Sequence, residues 1–207
     1  MTHKRTVERI GAIPMPQPLT REEQNILLNI AADAVYAAAH RQQPPRIDLA
    51  SLPPALQQNG ASFVTLTKYG QLRGCIGSLQ AYQPLALDVQ ERAVQAAVED
   101  PRFPPLRPEE LPAIEIEVSR LTEPVPLHYD RPEDLPKALH PHVDGVILQD
   151  GFRRATFLPQ VWDELPDPEE FLSHLCMKMG AHPDLWRRKM LNVQVYHVEE
   201  FKTKPEW

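Results

Sequence analysis

The sequence predicts an α+β fold in which a mainly antiparallel sheet is flanked by helices, and three observations predict it. Apolar residues recur with helical period after Thr20, Pro84 and Pro168. Elsewhere the pattern alternates with period two, as in Ile114, Ile116 and Val118 against Glu115, Glu117 and Ser119. Finally, neighbouring strands are joined by tight turns, Tyr69-Gly70 and Gln149-Asp150-Gly151, whereas a doubly wound parallel sheet needs repeated helical crossovers.

Each element has its own justification. Residues 1–19 mix charges with Pro14, Pro16 and Pro18, which suits an extended arm and not a helix interior. Thr20 and Glu23 have capping-box spacing, and Ile26, Leu27, Ile30, Ala31, Ala34, Val35 and Ala38 then trace one helix of about five turns. Pro44, Pro45, Pro53 and Pro54 make the stretch from Gln42 to Asn59 an irregular connection. Phe63 to Thr67 and Leu72 to Ile76 form a hairpin across Tyr69-Gly70. Pro84 suits a first helical position, and an apolar helix runs from there to just before Pro101, packed on the hairpin. The strand Ala113–Leu121 keeps one face to water. Gly145–Leu148 and Phe152–Leu158 form a second hairpin with Asp-Gly supplying positive-φ residues at its turn. A helix over Pro168–Met179 stops at Gly180, and Asn192–Phe201 alternates as one final strand.

Composition narrows the function classes. The 207 residues carry 22 basic and 28 acidic side chains, a net charge of −6, which opposes a broad phosphate footprint; there is also no phosphate loop. No apolar run is long enough to span a bilayer and the first eleven residues lack a signal-peptide core, so a cytoplasmic protein without membrane partners is expected. Two cysteines, Cys75 and Cys176, form neither a disulfide framework nor a zinc or redox pair and are read as free thiols.

The chemistry concentrates in Leu72-Arg73-Gly74-Cys75-Ile76-Gly77-Ser78. Glycine inside a strand marks a bulge or a close approach of another backbone or a ligand, so Gly74 and Gly77 say that something comes near Cys75. On a regular strand Arg73 and Cys75 share a face about 6.6 Å apart, near enough for the guanidinium to favour a thiolate. The competing reading makes Cys75 a small buried hydrophobe beneath a closely packed helix. Asp100-Pro101-Arg102-Phe103-Pro104-Pro105 is a stiff loop that either aims Arg102 at a substrate anion or closes an Asp100–Arg102 pair with Phe103 plugging the core. Arg154 and Thr156 share a face of the second hairpin and, with Arg73, would make an anion site or else a solvated basic strand. Helical spacing places Cys176 in the core and His174 on the opposite side, where it is a weak partner for Cys75 as a distant base. His140, His142 and His182 lack convincing metal-ligand spacing, so no metal is expected.

Leu72-Arg-Gly-Cys-Ile-Gly77 is similar to the hexapeptide signature of the AMMECR domain family. Asp100-Pro-Arg-Phe-Pro-Pro-Leu106, Ala155-Thr-Phe-Leu-Pro-Gln-Val161 and Pro166-Asp-Pro-Glu-Glu-Phe171 also resemble that family, specifically its bacterial branch called AmmeMemoRadiSam system protein A. The resemblance covers Thr20 to Phe201, leaving residues 202–207 as a tail. It implies an antiparallel sheet flanked by helices with a smaller subdomain. It also implies partnership with a Memo-type protein and with a radical S-adenosylmethionine enzyme; the S-adenosylmethionine and the iron–sulfur cluster would belong to that enzyme. Two cysteines cannot supply a three-cysteine cluster motif, so this chain itself carries no such cofactor.

Three functions follow as alternatives. The first is an accessory of the radical S-adenosylmethionine system, with Cys75 lining a small-molecule or peptide pocket. The second is a non-catalytic adaptor whose stiff loops and strand edges bind partner proteins. The third, nucleotide or nucleic-acid binding, rests on fold analogy alone.

Overall fold

The computed structural model describes residues 17–207, so most of the expected arm over residues 1–19 lies outside the described residues. Helix α1 (Arg21–Ala39) begins with the expected reciprocal cap: the Thr20 hydroxyl accepts the Glu23 N–H, and the Glu23 carboxylate accepts the Thr20 N–H at 2.7 Å. The proline-rich connection is more ordered than its composition implies, because Asp48 caps a 3₁₀ turn at Leu49–Ser51 and Pro54 starts helix α2 (Pro54–Gln57). Strands β1 (Asn59–Lys68) and β2 (Gln71–Gly77) are joined through Tyr69 and Gly70, whose φ values of 52° and 74° fit the type I′ hairpin turn. A two-residue strand β3 (Gln83–Pro84) precedes helix α3 (Leu85–Val98). Pro84 is therefore the residue ahead of the helix and not its first member. A 3₁₀ segment at Pro108–Ala113 leads into strand β4 (Ile114–Leu121).

The chain continues through β5 (Val125–Pro126), α4 (Leu135–Ala138) and the hairpin of β6 (Gly145–Asp150) and β7 (Arg153–Phe157). Asp150 pairs with Arg153, so the turn residues are Gly151 and Phe152; of Asp150 and Gly151, only the glycine has positive φ, at 62°. Asp150 thus belongs to the strand, contrary to the expectation that it supplies a positive-φ turn residue. Helix α5 (Pro168–Lys178) is capped by Asp167 and followed by Gly180 at φ 75°, as its sequence demands. The short α6 (Leu185–Arg188) comes next, and then the single strand expected over 192–201 divides at His197 into β8 (Asn192–Tyr196) and β9 (Val198–Thr203).

These elements form two compact units, residues 17–123 with 199–207 and residues 124–198. In the first, the sheet order is β2-β1-β4-β9, with β3 also pairing β1. Val64, Leu66, Ile116 and Val118 turn toward α1 and α3 and are buried among Leu27, Ala31, Val89 and Ala93. In the second, the order is β5-β8-β6-β7. Its core is built on Trp162, stacked on Phe171 with ring centroids 3.7 Å apart, and contains the fully buried Cys176, where helical spacing put it. Burial of each such large side chain stabilises by roughly 1.5–3 kcal/mol. The antiparallel pairing and flanking helices are those of the expected α+β class.

Candidate functional site

The two glycines of β2 explain what approaches the strand. A Cβ on Gly74 would stand 2.1 Å from the Ala96 carbonyl oxygen, so the absence of a side chain lets α3 lie against the sheet. At Gly77 the occupant is the Phe63 ring, 2.2 Å from where a Cβ would be, contributed by its cross-strand partner. Both close approaches are made by the protein itself.

Between them the strand contains a bulge. The register runs Thr65 to Cys75 and Leu66 to Gly74, then shifts so that Thr67 faces Leu72, leaving Arg73 as the extra residue. This breaks the alternation assumed for a regular strand, and Arg73 does not activate Cys75. Its Nε and Nη2 instead donate to the two Glu110 carboxylate oxygens at 3.1 and 3.0 Å, and Nη2 also donates to the Pro104 carbonyl at 2.9 Å. Lys68 joins the same carboxylate at 2.9 Å. The Arg73 guanidinium beside it, helped by Lys68, lowers the Glu110 carboxyl to about 2. Arg73 is therefore an anchor for the loop and not a free cation for an anion site.

Cys75 is half-buried and faces away from the α1 and α3 core. Thr65 and Glu117, directly opposite on β1 and β4, continue its row across the sheet. Thr65 Oγ1 donates to Cys75 Sγ at 3.3 Å. The Cys75 backbone is held from the other side: its N–H donates to Asp100 Oδ2 at 2.9 Å, and its carbonyl accepts from Arg102 Nη2 at 3.3 Å. The Asp100–Pro105 loop thus does for this edge residue what a neighbouring strand would do. Asp100 also receives Arg102 Nε at 2.9 Å and Nη2 at 2.6 Å. These bonds, then those from the Cys75 and Arg102 amides, lower its carboxyl to about 2.

The electrostatics of the thiol oppose activation. Burial pushes the Cys75 thiol above its ordinary value, Asp100 and Glu117 push the same way, and the Thr65 bond and the Arg102 charge pull against them without overcoming burial. The expected internal Asp100–Arg102 pair exists, but Phe103 is only half-buried and lies within cation–π reach of both Arg73 and Arg102, at 5.9 and 5.5 Å, instead of plugging the core. Arg102 keeps half of its side chain, 53%, exposed.

The remaining expected residues belong to the other unit. Arg154 is exposed on β7, and the Thr156 hydroxyl is occupied by the Val146 carbonyl at 2.9 Å and by Tyr196 at 2.9 Å. Thr156 is accordingly a ladder contact and not a free ligand donor. His174 is exposed on α5. Among the described residues, no group of three or more His, Cys, Asp or Glu is arranged to hold a metal, and no helix is long and apolar enough to cross a membrane.

Sequence reasoning missed a buried polar group next to this strand pair. Asp88 on α3 is fully buried, and its Oδ2 accepts both the Ser62 N–H at 2.8 Å and the Ser62 hydroxyl at 2.7 Å. Arg92 Nε reaches Oδ1 at 3.3 Å, while its terminal nitrogens reach Gln95 and the Tyr82 hydroxyl. Burial pushes the Asp88 carboxyl up, with the Ser62 and Arg92 bonds opposing. The four-residue spacing of Asp88 and Arg92 on a largely apolar helix was the available signal.

The chain matches the family model described as AMMECR1 over residues 28–201. It is 41% identical over 188 residues to a protein of Methanothermobacter thermautotrophicus, covering 88% of this chain and 97% of that one. It is 40% identical over 203 residues to a protein of Thermofilum pendens, covering 91% and 93%. A crystal structure of an uncharacterized protein from Pyrococcus horikoshii is similar at TM-score 0.82 and 33% identity, covering 90% of this chain and 94% of that one.

Proposed function

The chain belongs to the AMMECR1 family, and from that premise we propose that it is a binding component which presents a small molecule or peptide at the Cys75 strand to partner enzymes. One observation carries this reading. Asp100 and Arg102 fix the Cys75 backbone and Thr65 bonds its sulfur, while burial pushes the thiol above its ordinary value. A nucleophilic cysteine needs the reverse, a thiolate stabilised by a cation or base. A protonated, immobilised thiol is instead a shaped contact for a ligand.

The partners in this proposal are those the four sequence blocks imply, a Memo-type protein and a radical S-adenosylmethionine enzyme, acting in the cytoplasm. The cofactor and cluster reside in the latter. The affiliation with the AmmeMemoRadiSam system is read from those blocks, and the relatives named above are archaeal proteins.

The test is a reconstitution from the purified chain and the two partners, following S-adenosylmethionine consumption. Consumption should depend on the chain, persist in part with Cys75→Ser, which keeps a small polar contact, and fall with Arg102→Gln. Indifference to the chain overturns the proposal, and complete loss with a stably folded Cys75→Ser makes Cys75 a nucleophile.

A further inference from the structure

The edge of β2 carries backbone groups that nothing described so far uses. In an antiparallel ladder, successive residues turn their N–H and C=O alternately toward the paired strand and away from it. Cys75 is turned away, because its N–H and C=O meet Asp100 and Arg102. Ser78 is turned inward, donating to the Ser62 carbonyl at 3.0 Å. With the register unbroken from Thr65–Cys75 to Phe63–Gly77, Gly77 must turn its N–H and C=O outward. Among the described residues neither group has a hydrogen-bond partner, and β2 is the end strand of its sheet. Gly77 has no side chain to screen this edge.

The cation stands two residues back along the same edge. Arg102 commits Nε and Nη2 to Asp100 and to the Cys75 carbonyl and its guanidinium also lies beside the Cys75 thiol, whereas none of these hydrogen bonds uses its Nη1, on a side chain that is half exposed. An outward N–H and C=O on one residue call for the C=O and N–H of one residue of an extended peptide, which match both, and not for a phosphate, which matches only the donor. A guanidinium nitrogen beside them calls for a carboxylate.

We infer that the Cys75–Gly77 edge binds the carboxyl end of an extended peptide running antiparallel to β2, the N–H and C=O of one peptide residue pairing with the Gly77 C=O and N–H and the terminal carboxylate lying on Arg102 Nη1. Gly77 and Cys75, whose carbonyl holds the Arg102 guanidinium, are two strand residues apart, about 6.6 Å, a spacing on the scale of an extended C-terminal dipeptide. This combines strand addition with carboxylate capture, and it places the Cys75 row beside the last side chains of the peptide. The inference deepens the proposed binding role and rests on it.

The experiment is an NMR titration of the ¹⁵N-labelled full chain with a pool of acetylated tetrapeptides randomised at their last two positions. The same pool amidated at its carboxyl end and acetate alone serve as comparisons. The free-acid pool should move the Gly77 amide and the Arg102 guanidinium signals saturably, and amidation should weaken this about tenfold, the loss of one charge-assisted bond. Arg102→Gln should abolish the preference for the free acid, and Arg102→Lys, which retains a cation, should restore part of it. An unmoved Gly77 amide, an equal response to the amidated pool, or equal affinity for acetate overturns the inference. Because this titration uses the chain alone, such a failure with intact partner-dependent consumption would remove the peptide and leave the binding role standing.

Discussion

A methyl group has no place at residue 74, since α3 brings the Ala96 carbonyl to within 2.1 Å of where it would sit. Gly74→Val should therefore lower the melting temperature by the equivalent of about 1–3 kcal/mol, the usual cost of overpacking. Ser78→Ala, which loses only a local turn contact to Gln80, should leave it almost unchanged. Equal melting temperatures for the two variants would refute the close approach. The same scale yields a pH prediction. Asp100 and Glu110 sit at about 2 in the folded chain, below their ordinary values of about 3.9 and 4.3. A depressed carboxyl stabilises the fold fully above its unfolded value, and the contribution disappears as pH falls through the folded value. Denaturant unfolding from pH 5 to pH 2 should show each group losing on the order of 2 kcal/mol at most. In Arg102→Gln the Asp100 part of that slope should flatten.

At the scale of elements, the edge strand β2 is held by side chains reaching back from loops, and Glu110 is the central one. Glu110→Gln should weaken the bonds from Arg73 and Lys68, and it should lower stability without altering α1. Thr20→Ala should cost about 1 kcal/mol through the lost cap of α1, read in the same melting experiment, with little effect on the Cys75 row. The legibility of the sequence follows the range of the interactions. The α1 cap, the Tyr69-Gly70 turn, the apolar period of α3 and the Gly180 stop are local and could be read from their own residues. The bulge at Arg73 could not, because it depends on Glu110, 37 positions away, and a regular strand was the only geometry available without that partner. The division of the last strand was hidden for a related reason. Alternation continues through His197 although β8 pairs with β6 and β9 joins the sheet of β4. Asp88 escaped because a helical aspartate reads as solvent-facing until Ser62 is brought to it.

For the whole molecule, the candidate site residues read from the sequence divide between two units. Arg73, Gly74, Cys75, Gly77, Asp100 and Arg102 belong to one, and Arg154, Thr156 and His174 to the other. Within the first unit the loop, edge strand and thiol form one hydrogen-bonded group, which is what a preorganised binding face requires. In the proposed binding role Cys75 is a held, neutral thiol that touches a ligand and does not attack one. The pH dependence of alkylation in the native full chain, resolved by mass spectrometry at each cysteine, tests this role. Cys75 should react before the fully buried Cys176, which should need denaturant, and the Cys75 rate midpoint should lie above the value of about 8.5 for a free thiol. A Cys75 rate that is already on its plateau at neutral pH would mean a thiolate nucleophile and would contradict it.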